Sequence, residues 1–462
     1  MSYDILIRNA DFAVTMNQQR EILSSASVAI HDGKIVAIGK NASIQGDAKK
    51  TIDAKRKMVL PGLINSHIHL TQQLARGLAD NVLQPAWIHE RIYPYEAHLT
   101  ESDAITSAKL ACLELIKTGT TTFAEPGGYH MDAVADVVDK SGLRAVLARS
   151  AMDLSTADRQ LPGNLRETAS EAARQSEEFV QRQHNRADGR IRASFCLRIV
   201  RVCSDELCIR IKELANRYGV LIQTHAGSTK PSVDKTRELF GVTDVLRLER
   251  LGVLDSNVLA IHMNWLSDEE AALVKERDVK IAHCPTTSPM AGGYGTFVVG
   301  RFPELIENGV TVSVGADAAP CSNFLDVVRV MYQTIYFRDI RSNPFMMRPE
   351  TVLELGTLHG ARALLWEDEI GSLEPGKRAD LILVDLNTPE MTPLHNPISN
   401  FIHAGSGALV DTSIVNGIVL MESRRVLTLD EDEILAEANQ AGLAVARRAG
   451  LTELAQPQWP IS

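Results

Sequence analysis

Apolar and polar residues alternate along this chain with two different periods, and the change of period divides it. Over residues 1–57 the runs Asp4 to Ile7, Ala26 to Ile30, Ile35 to Ile38 and Thr51 to Asp53 are short, rich in Ile and Val, and separated by turn signals such as His31-Asp32-Gly33-Lys34. Runs of that kind predict strands. The same texture returns from Gly371 to Asp385 and from Thr412 to Leu420. The two ends are therefore expected to build one small β-sandwich domain, residues 1–57 plus 371–430.

Between them, strand-like runs alternate with stretches of helical spacing. The strands begin with the apolar run from Met58, which carries His67 and His69 at its end. They continue at Thr120 to Phe123, Arg144 to Ala148, Ile191 to Val200, Val220 to Thr224, Val258 to Ile261, Val279 to Ala282 and Thr311 to Val314. Ala104 to Lys117, Thr168 to Gln183, Asp205 to Tyr218 and Asp268 to Glu276 repeat apolar residues with a helical period. Repeated βα alternation over residues 58–370 predicts an α/β fold, a (β/α)8 TIM-like barrel whose active groups sit at the C-terminal ends of the strands. Residues 431–462 are expected to form a helical extension, with Asp430 to Ala449 a surface helix packed on the outside.

Composition narrows the class. At 462 residues, 45% hydrophobic and 23% charged, the chain reads as a globular protein with a sizeable core. A net charge of -10 excludes a sequence-independent grip on nucleic acid or on an anionic membrane, so the expected partner is a small-molecule substrate. The first residues lack the basic and apolar regions of a secretion signal and no run reaches transmembrane length, so the expected location is cytoplasmic. The six cysteines lack paired Cys-x-x-Cys spacing and read mostly as reduced core thiols.

The chemistry lies at the strand ends. His67 and His69 follow the first strand, His225 the fifth, His262 the sixth, His283 the seventh and Asp317 the eighth. A single histidine at a strand end is an ordinary packed residue, but chance would scatter the others rather than place them in register. Three imidazoles and one carboxylate suit a borderline divalent cation such as Zn, Fe, Mn or Co, with a position open for water. Such a cation brings hydroxide within reach at neutral pH, which points to hydrolysis. Asp317 is then placed to shuttle the water's proton, and His262 to hydrogen-bond the hydroxide or the developing oxyanion.

The motif Pro61-Gly62-Leu63-Ile64-Asn65-Ser66-His67-Ile68-His69 and the segment Gly371 to Asp385 resemble the amidohydrolase superfamily over essentially the whole chain. Thr224-His225, Ile261-His262, Ala282-His283-Cys284-Pro285 and Gly315-Ala316-Asp317 are similar to its cytosine deaminase and triazine hydrolase (chlorohydrolase) group. The resemblance implies that His67, His69, His225 and Asp317 hold one metal ion, zinc first among the candidates, and that His262 is a catalytic residue beside it. No lysine lies in the fourth strand, where binuclear relatives carry a bridging one, which favours a single ion.

Two departures bear on the substrate. Ring deaminases of this group carry a glutamate three residues after the fifth-strand histidine, where this chain has Ser228. A serine hydroxyl does not replace a carboxylic acid as proton donor. The family's fourth-strand histidine falls at Arg198, whose fixed donors bind a carbonyl or anionic oxygen but cannot act as a base. Both changes favour attack on the carbonyl carbon of a small neutral urea, carbamate, thiocarbamate or amide, as in the phenylurea and molinate hydrolases. The alternative is deamination or dechlorination of a triazine, pyrimidine, purine or pterin ring, with Glu238 or another carboxylate supplying the missing proton from a different position. An inactive barrel scaffold is the reading of another class, and loss of a ligand would be its mark. His283 is expected either to bind substrate and protonate the leaving group or simply to pack. Trp87, Tyr129 and Met290 are expected to wall the substrate pocket, and a homo-oligomer is expected from the group.

Overall fold

The computed structural model describes residues 2–80, 82, 86–156, 159–287, 300–336, 347–456 and 459. From the N-terminal part, the strands Tyr3–Val14, Ile22–His31, Lys34–Lys40, Ala48–Asp53 and Lys57–Pro61 join Leu381–Asp385, Val410–Val415, Ile418–Glu422 and Arg425–Val426 in one nine-stranded sheet. Their period of two buries Ile5, Ile7, Val28, Ile30, Leu381 and Leu383 in a common core. The two ends of the chain do come together, in one hydrogen-bonded sheet in which Ala48–Asp53 branches off Tyr3–Val14. Lys57–Pro61 is the reason, since it pairs parallel with Tyr3–Val14 on one side and antiparallel with Leu381–Asp385 on the other. The sheet curls until its hairpin tips meet, and at Gly33, with φ +69°, a Cβ would lie 2.9 Å from the Asn416 carbonyl oxygen.

That use of Lys57–Pro61 also shortens the first barrel strand. The apolar run from Met58 is not continuous: Pro61 and Gly62 interrupt it, and only Leu63–Asn65 continues as a strand beside Thr120–Glu125. Gly62 is needed there, because a Cβ would sit 2.0 Å from Thr121 Oγ1.

Parallel strands then follow in two runs. One has the order Ile191–Ala193, Arg144–Leu147, Thr120–Glu125, Leu63–Asn65; the other runs Val312–Val314, Lys280–His283, Val258–His262, Ile222–Ala226, Phe195–Ile199, Ser150–Ala151. The third expected strand is found as Arg144–Leu147, followed by a separate Ser150–Ala151 in the other run, and the fourth is broken in two, its halves belonging to different runs. Ser66 N donates to Val314 O and Asp317 N to His67 O, both at 2.9 Å, so the ends of the first and eighth strands touch. These features fit a TIM-like barrel. The helices Glu101–Lys117, Ala169–Gln183, Asp205–Tyr218 and Asp268–Glu276 start where Thr100, Thr168, Ser204 and Ser267 cap their first turns.

Arg144 on a barrel strand forms a buried two-point pair with Asp380 at 2.7 and 3.1 Å, and Asp380 also accepts from Asn416 N at 2.7 Å. This ties the terminal sheet to the barrel. The helix Glu431–Arg448 lies on Glu101–Lys117, joined by Lys109 to Glu437 at 2.9 Å and by Lys117 to Glu431 at 2.6 Å. All six cysteines are buried thiols outside any disulfide, as their spacing suggested. Among the described residues no helix is long and apolar enough to cross a membrane.

Candidate active site

Beyond Leu63–Asn65 the chain stays extended, with Ile68 bridged to Asp317 past the eighth strand. Alternation therefore turns His67 and His69 to one side although neither lies within a strand, a correction to their expected setting. Gly315 allows the close approach, since a Cβ there would sit 2.8 Å from His67 Cβ. The His67 ring centroid lies 4.9 Å from those of both His69 and His225, and His225 and His262 are 5.4 Å apart. Asp317 is at the centre. Its Oδ1 is 3.2 Å from His67 Nε2 and 3.6 Å from His69 Nε2, and its Oδ2 is 3.9 Å from His262 Nε2.

His67, His69 and His225 each offer a ligand atom within 4.8 Å of the others, and so do His67, His262 and Asp317. Both His67 ring nitrogens are buried without a properly formed hydrogen bond, and burial holds that imidazole below its ordinary pKa. A neutral buried imidazole left in this state is costly unless a cation takes its lone pair. The neighbours are already aimed. His225 Nδ1 lies 2.5 Å from the Arg198 carbonyl oxygen, which leaves Nε2 for the cluster, and His69 Nδ1 lies 3.7 Å from Glu125 Oε1. Groups of this kind behind a ligand set its tautomer and orientation. The donor set fits one divalent cation of the zinc type.

Burial alone would raise the Asp317 carboxyl, but His67, His262 and His69 around it bring it well below the usual range. Its Oδ1 accepts from Ala318 N and its Oδ2 from Thr287 Oγ1, each at 2.7 Å. His262 is pulled down to about 4, chiefly by burial, and so is neutral near pH 7. His262, Met263 and Asp317 have φ of +79°, +53° and +63°, a left-handed backbone that side chains other than glycine seldom adopt. Each such residue costs roughly 1–3 kcal/mol, and such strain persists where the surroundings hold it. Here Met263 N donates to Ala226 O at 3.0 Å and Asp317 N to His67 O at 2.9 Å.

The cluster opens into a cavity of about 290 Å³. Trp87, Ile88 and Ile92 form an apolar side, and Arg198, Ser228 and His262 also line it. Arg198 is therefore where the sequence placed it, but it is not free to act alone. Its Nη2 pairs with Glu96 Oε1 at 2.6 Å, and Gln72 Nε2 donates to the same oxygen at 2.8 Å. Glu96 and Glu125 are the polar residues that the sequence reading left without a role. Glu125 ends the second strand in the same register as the strand-end histidines, which was a legible signal; Glu96 shares its segment with His89, Glu90 and Arg91, so nothing local marks it out.

Other expected residues fall elsewhere. Tyr129 does not line this cavity; it borders a second one of about 390 Å³ with Arg149 and Glu167. The turn before it is tight, Gly127 having φ +104°, and the buried Tyr129 hydroxyl still lies near enough to Glu96 and Arg198 to feel their charges. His283 lies outside the lining as well, with its ring 3.7 Å from that of Phe302 and burial holding it near a pKa of about 3. That setting is a packed one, not that of a leaving-group donor. Glu238 is exposed and paired with Lys235 at 2.8 Å, so it does not replace the missing glutamate. Met290 lies outside the described residues.

Residues 58–420 match the amidohydrolase family. The chain belongs to that family. It is 34% identical over 448 residues to a 5'-deoxyadenosine deaminase of Methanosarcina acetivorans, covering 96% of this chain and 99% of that protein. An adenosine deaminase from Xanthomonas campestris with bound zinc matches the fold at TM-score 0.89 and 27% identity, over 96% of this chain and 99% of that one. An atrazine chlorohydrolase from Arthrobacter aurescens TC1, complexed with zinc, matches at TM-score 0.86 and 24% identity over 95% and 100% of the two chains, a likeness of fold. As an amidohydrolase the chain is a hydrolase of carbon–nitrogen bonds other than peptide bonds. None of these three is a phenylurea or thiocarbamate hydrolase, so the expectation of a neutral urea or carbamate gives way to its alternative.

Proposed function

We propose that this amidohydrolase is a zinc-dependent aminohydrolase that replaces an exocyclic amino group of a purine-like ring by oxygen and releases ammonia. The observation that carries it is the convergence of His67, His69, His225, His262 and Asp317 at the floor of a cavity with an apolar side. The deaminases it is similar to support the ring substrate. His67, His69, His225 and Asp317 are the proposed ligands. Bound there, the cation supplies a water of lowered pKa.

The protein's own residues do the rest. Asp317 takes the proton of the attacking water, helped by the Thr287 hydroxyl that fixes its Oδ2, and passes it to the departing nitrogen. Neutral His262, 3.9 Å from that carboxylate, hydrogen-bonds the oxygen as it bonds to carbon. Trp87, Ile88 and Ile92 hold the ring and keep bulk water from it. Arg198, already neutralised by Glu96, contributes a fixed donor to a ring nitrogen or carbonyl.

A second reading rests on Ser228. It lines the cavity, and Asp317 is the one carboxylate among the described lining residues, so no separate acid protonates a ring nitrogen. That favours an amide- or urea-like carbon. A screen of the zinc-loaded protein separates the two. Ammonia release from adenosine, 5'-deoxyadenosine and related aminopurine nucleosides is expected; turnover confined to ureas, carbamates and amides would replace the first reading by the second.

A further inference from the structure

Away from the histidines, the cavity wall is strongly basic, in a chain whose net charge is -10. Arg159, Arg198, Arg201 and Lys235 all line it. Three of them have partners close by: Arg198 has Glu96 at 2.6 Å, Lys235 has Glu238 at 2.8 Å, and Arg201 Nη1 donates to Ser232 Oγ at 2.5 Å. Arg159 differs. It is 7% exposed and its Nε is buried with no hydrogen-bond partner. The charges that act on it are those of Arg201 and Arg198, with the Tyr93 hydroxyl beside it, and no carboxylate among the described residues is one of them. Burial first, and then Arg201, draw its pKa down to about 10.

A buried guanidinium beside two like charges is strongly unfavourable unless an anion arrives to face it. The wall is also shaped to receive one. Thr229 caps the helix Lys230–Phe240, and Thr229, Pro231 and Ser232 of its first turn line the same cavity. The amino end of that helix thus adds its positive dipole to the side facing the arginines.

We propose that Arg159, with Arg201 and the start of the helix Lys230–Phe240, binds an oxyanion group of the substrate, of carboxylate or phosphate chemistry, while the reacting carbon lies at the histidine cluster. The guanidinium's planar fork matches either group in two-point contact. The inference takes the identity of the reacting end from the aminohydrolase reading, but the anion site itself stands on Arg159. It makes the wall a selector: a neutral compound of the same shape leaves a buried charge unanswered.

Calorimetric titration of the full-length zinc-loaded protein with benzoate, phenyl phosphate and neutral benzamide tests it. At least one of the anions is expected to bind about tenfold or more tighter than benzamide, a step of RT ln 10. The tighter of the two tells a carboxylate from a phosphate ester. Arg159→Gln is expected to abolish the preference, and Arg159→Lys to keep part of it. Equal binding of anions and benzamide, or a preference that survives in Arg159→Gln because the metal alone holds the anion, overturns the proposal. No carboxylate among the described residues faces the removed charge, so ligand-free Arg159→Gln should melt at or above the wild-type temperature; a much lower Tm would assign Arg159 to the scaffold and also overturn the proposal. Ammonia release is scored separately. An anion preference without deamination sinks the aminohydrolase reading alone, and deamination without an anion preference sinks this one alone.

Discussion

At the floor of the cavity the reacting side chains stand at strand ends, His225 and His262 in the last residues of theirs and His67, His69 and Asp317 just beyond. The wall is drawn instead from the segment around Trp87, from Arg159 and Arg201, and from the turn and helix between Ser228 and Lys235. Burial holds His67, His225 and His262 below the ordinary histidine pKa, His262 at about 4, and so keeps them ready for a cation. The wall's guanidiniums keep their charge, because arginine does not give up its proton near neutral pH. Rigid strand ends specify what reaction occurs, and the more variable connections above them specify which molecule undergoes it.

If that division holds, a small change at the floor should have the largest effect. Asp317→Asn keeps the shape but removes the proton acceptor, and turnover should fall by about 10⁴-fold, as measured by steady-state kinetics on metal-loaded protein. Near wild-type turnover would place the proton transfer elsewhere. One step back, Glu125→Gln should weaken metal affinity by about 10- to 100-fold in a chelator competition while activity at saturating metal is much less affected. Unchanged affinity would detach Glu125 from His69.

The burial of neutral histidines predicts a pH response. His262 and His283, at about 4 and about 3, titrate below the 6.5 of an exposed histidine, so over that interval the unfolded chain binds protons that the folded chain does not. Metal-free protein should therefore lose stability as pH falls from about 6.5 towards 4, followed by chemical denaturation at each pH. A flat profile there would mean that these rings are not buried neutral. The smallest effect is expected at Glu238→Ala, outside the cavity lining: activity within about twofold and an unaltered fold, in keeping with other exposed sites. A large loss of rate would restore Glu238 as the acid that Ser228 lacks.

Much of this division could be read along the chain. The helices Asp205–Tyr218 and Asp268–Glu276 coincide with their expected limits, because capping serines and apolar spacing are local signals. The convergence of His67, His69, His225, His262 and Asp317 was legible because strand-end position in a repeated βα pattern leaves few places for a side chain to go. The first strand was misjudged because Lys57–Pro61 is apolar enough to suit two sheets, and hydrogen bonds to Leu381–Asp385, far along the chain, decided between them. For Tyr129 and His283 the chain left the setting open: Tyr129 borders the second cavity, and His283 takes the packed one of its two expected settings, against a Phe302 ring that no motif announces.

The order of residues by itself determined the family, the run of strands and helices, and the donor atoms available to a cation, all of which follow from short-range periodicity and residue chemistry. The tertiary structure alone decided that Glu96 neutralises Arg198 while Arg159 is buried with no acid among the described residues beside it. Charge pairing depends on distances of a few ångströms between segments remote in the chain, and no local pattern encodes those distances.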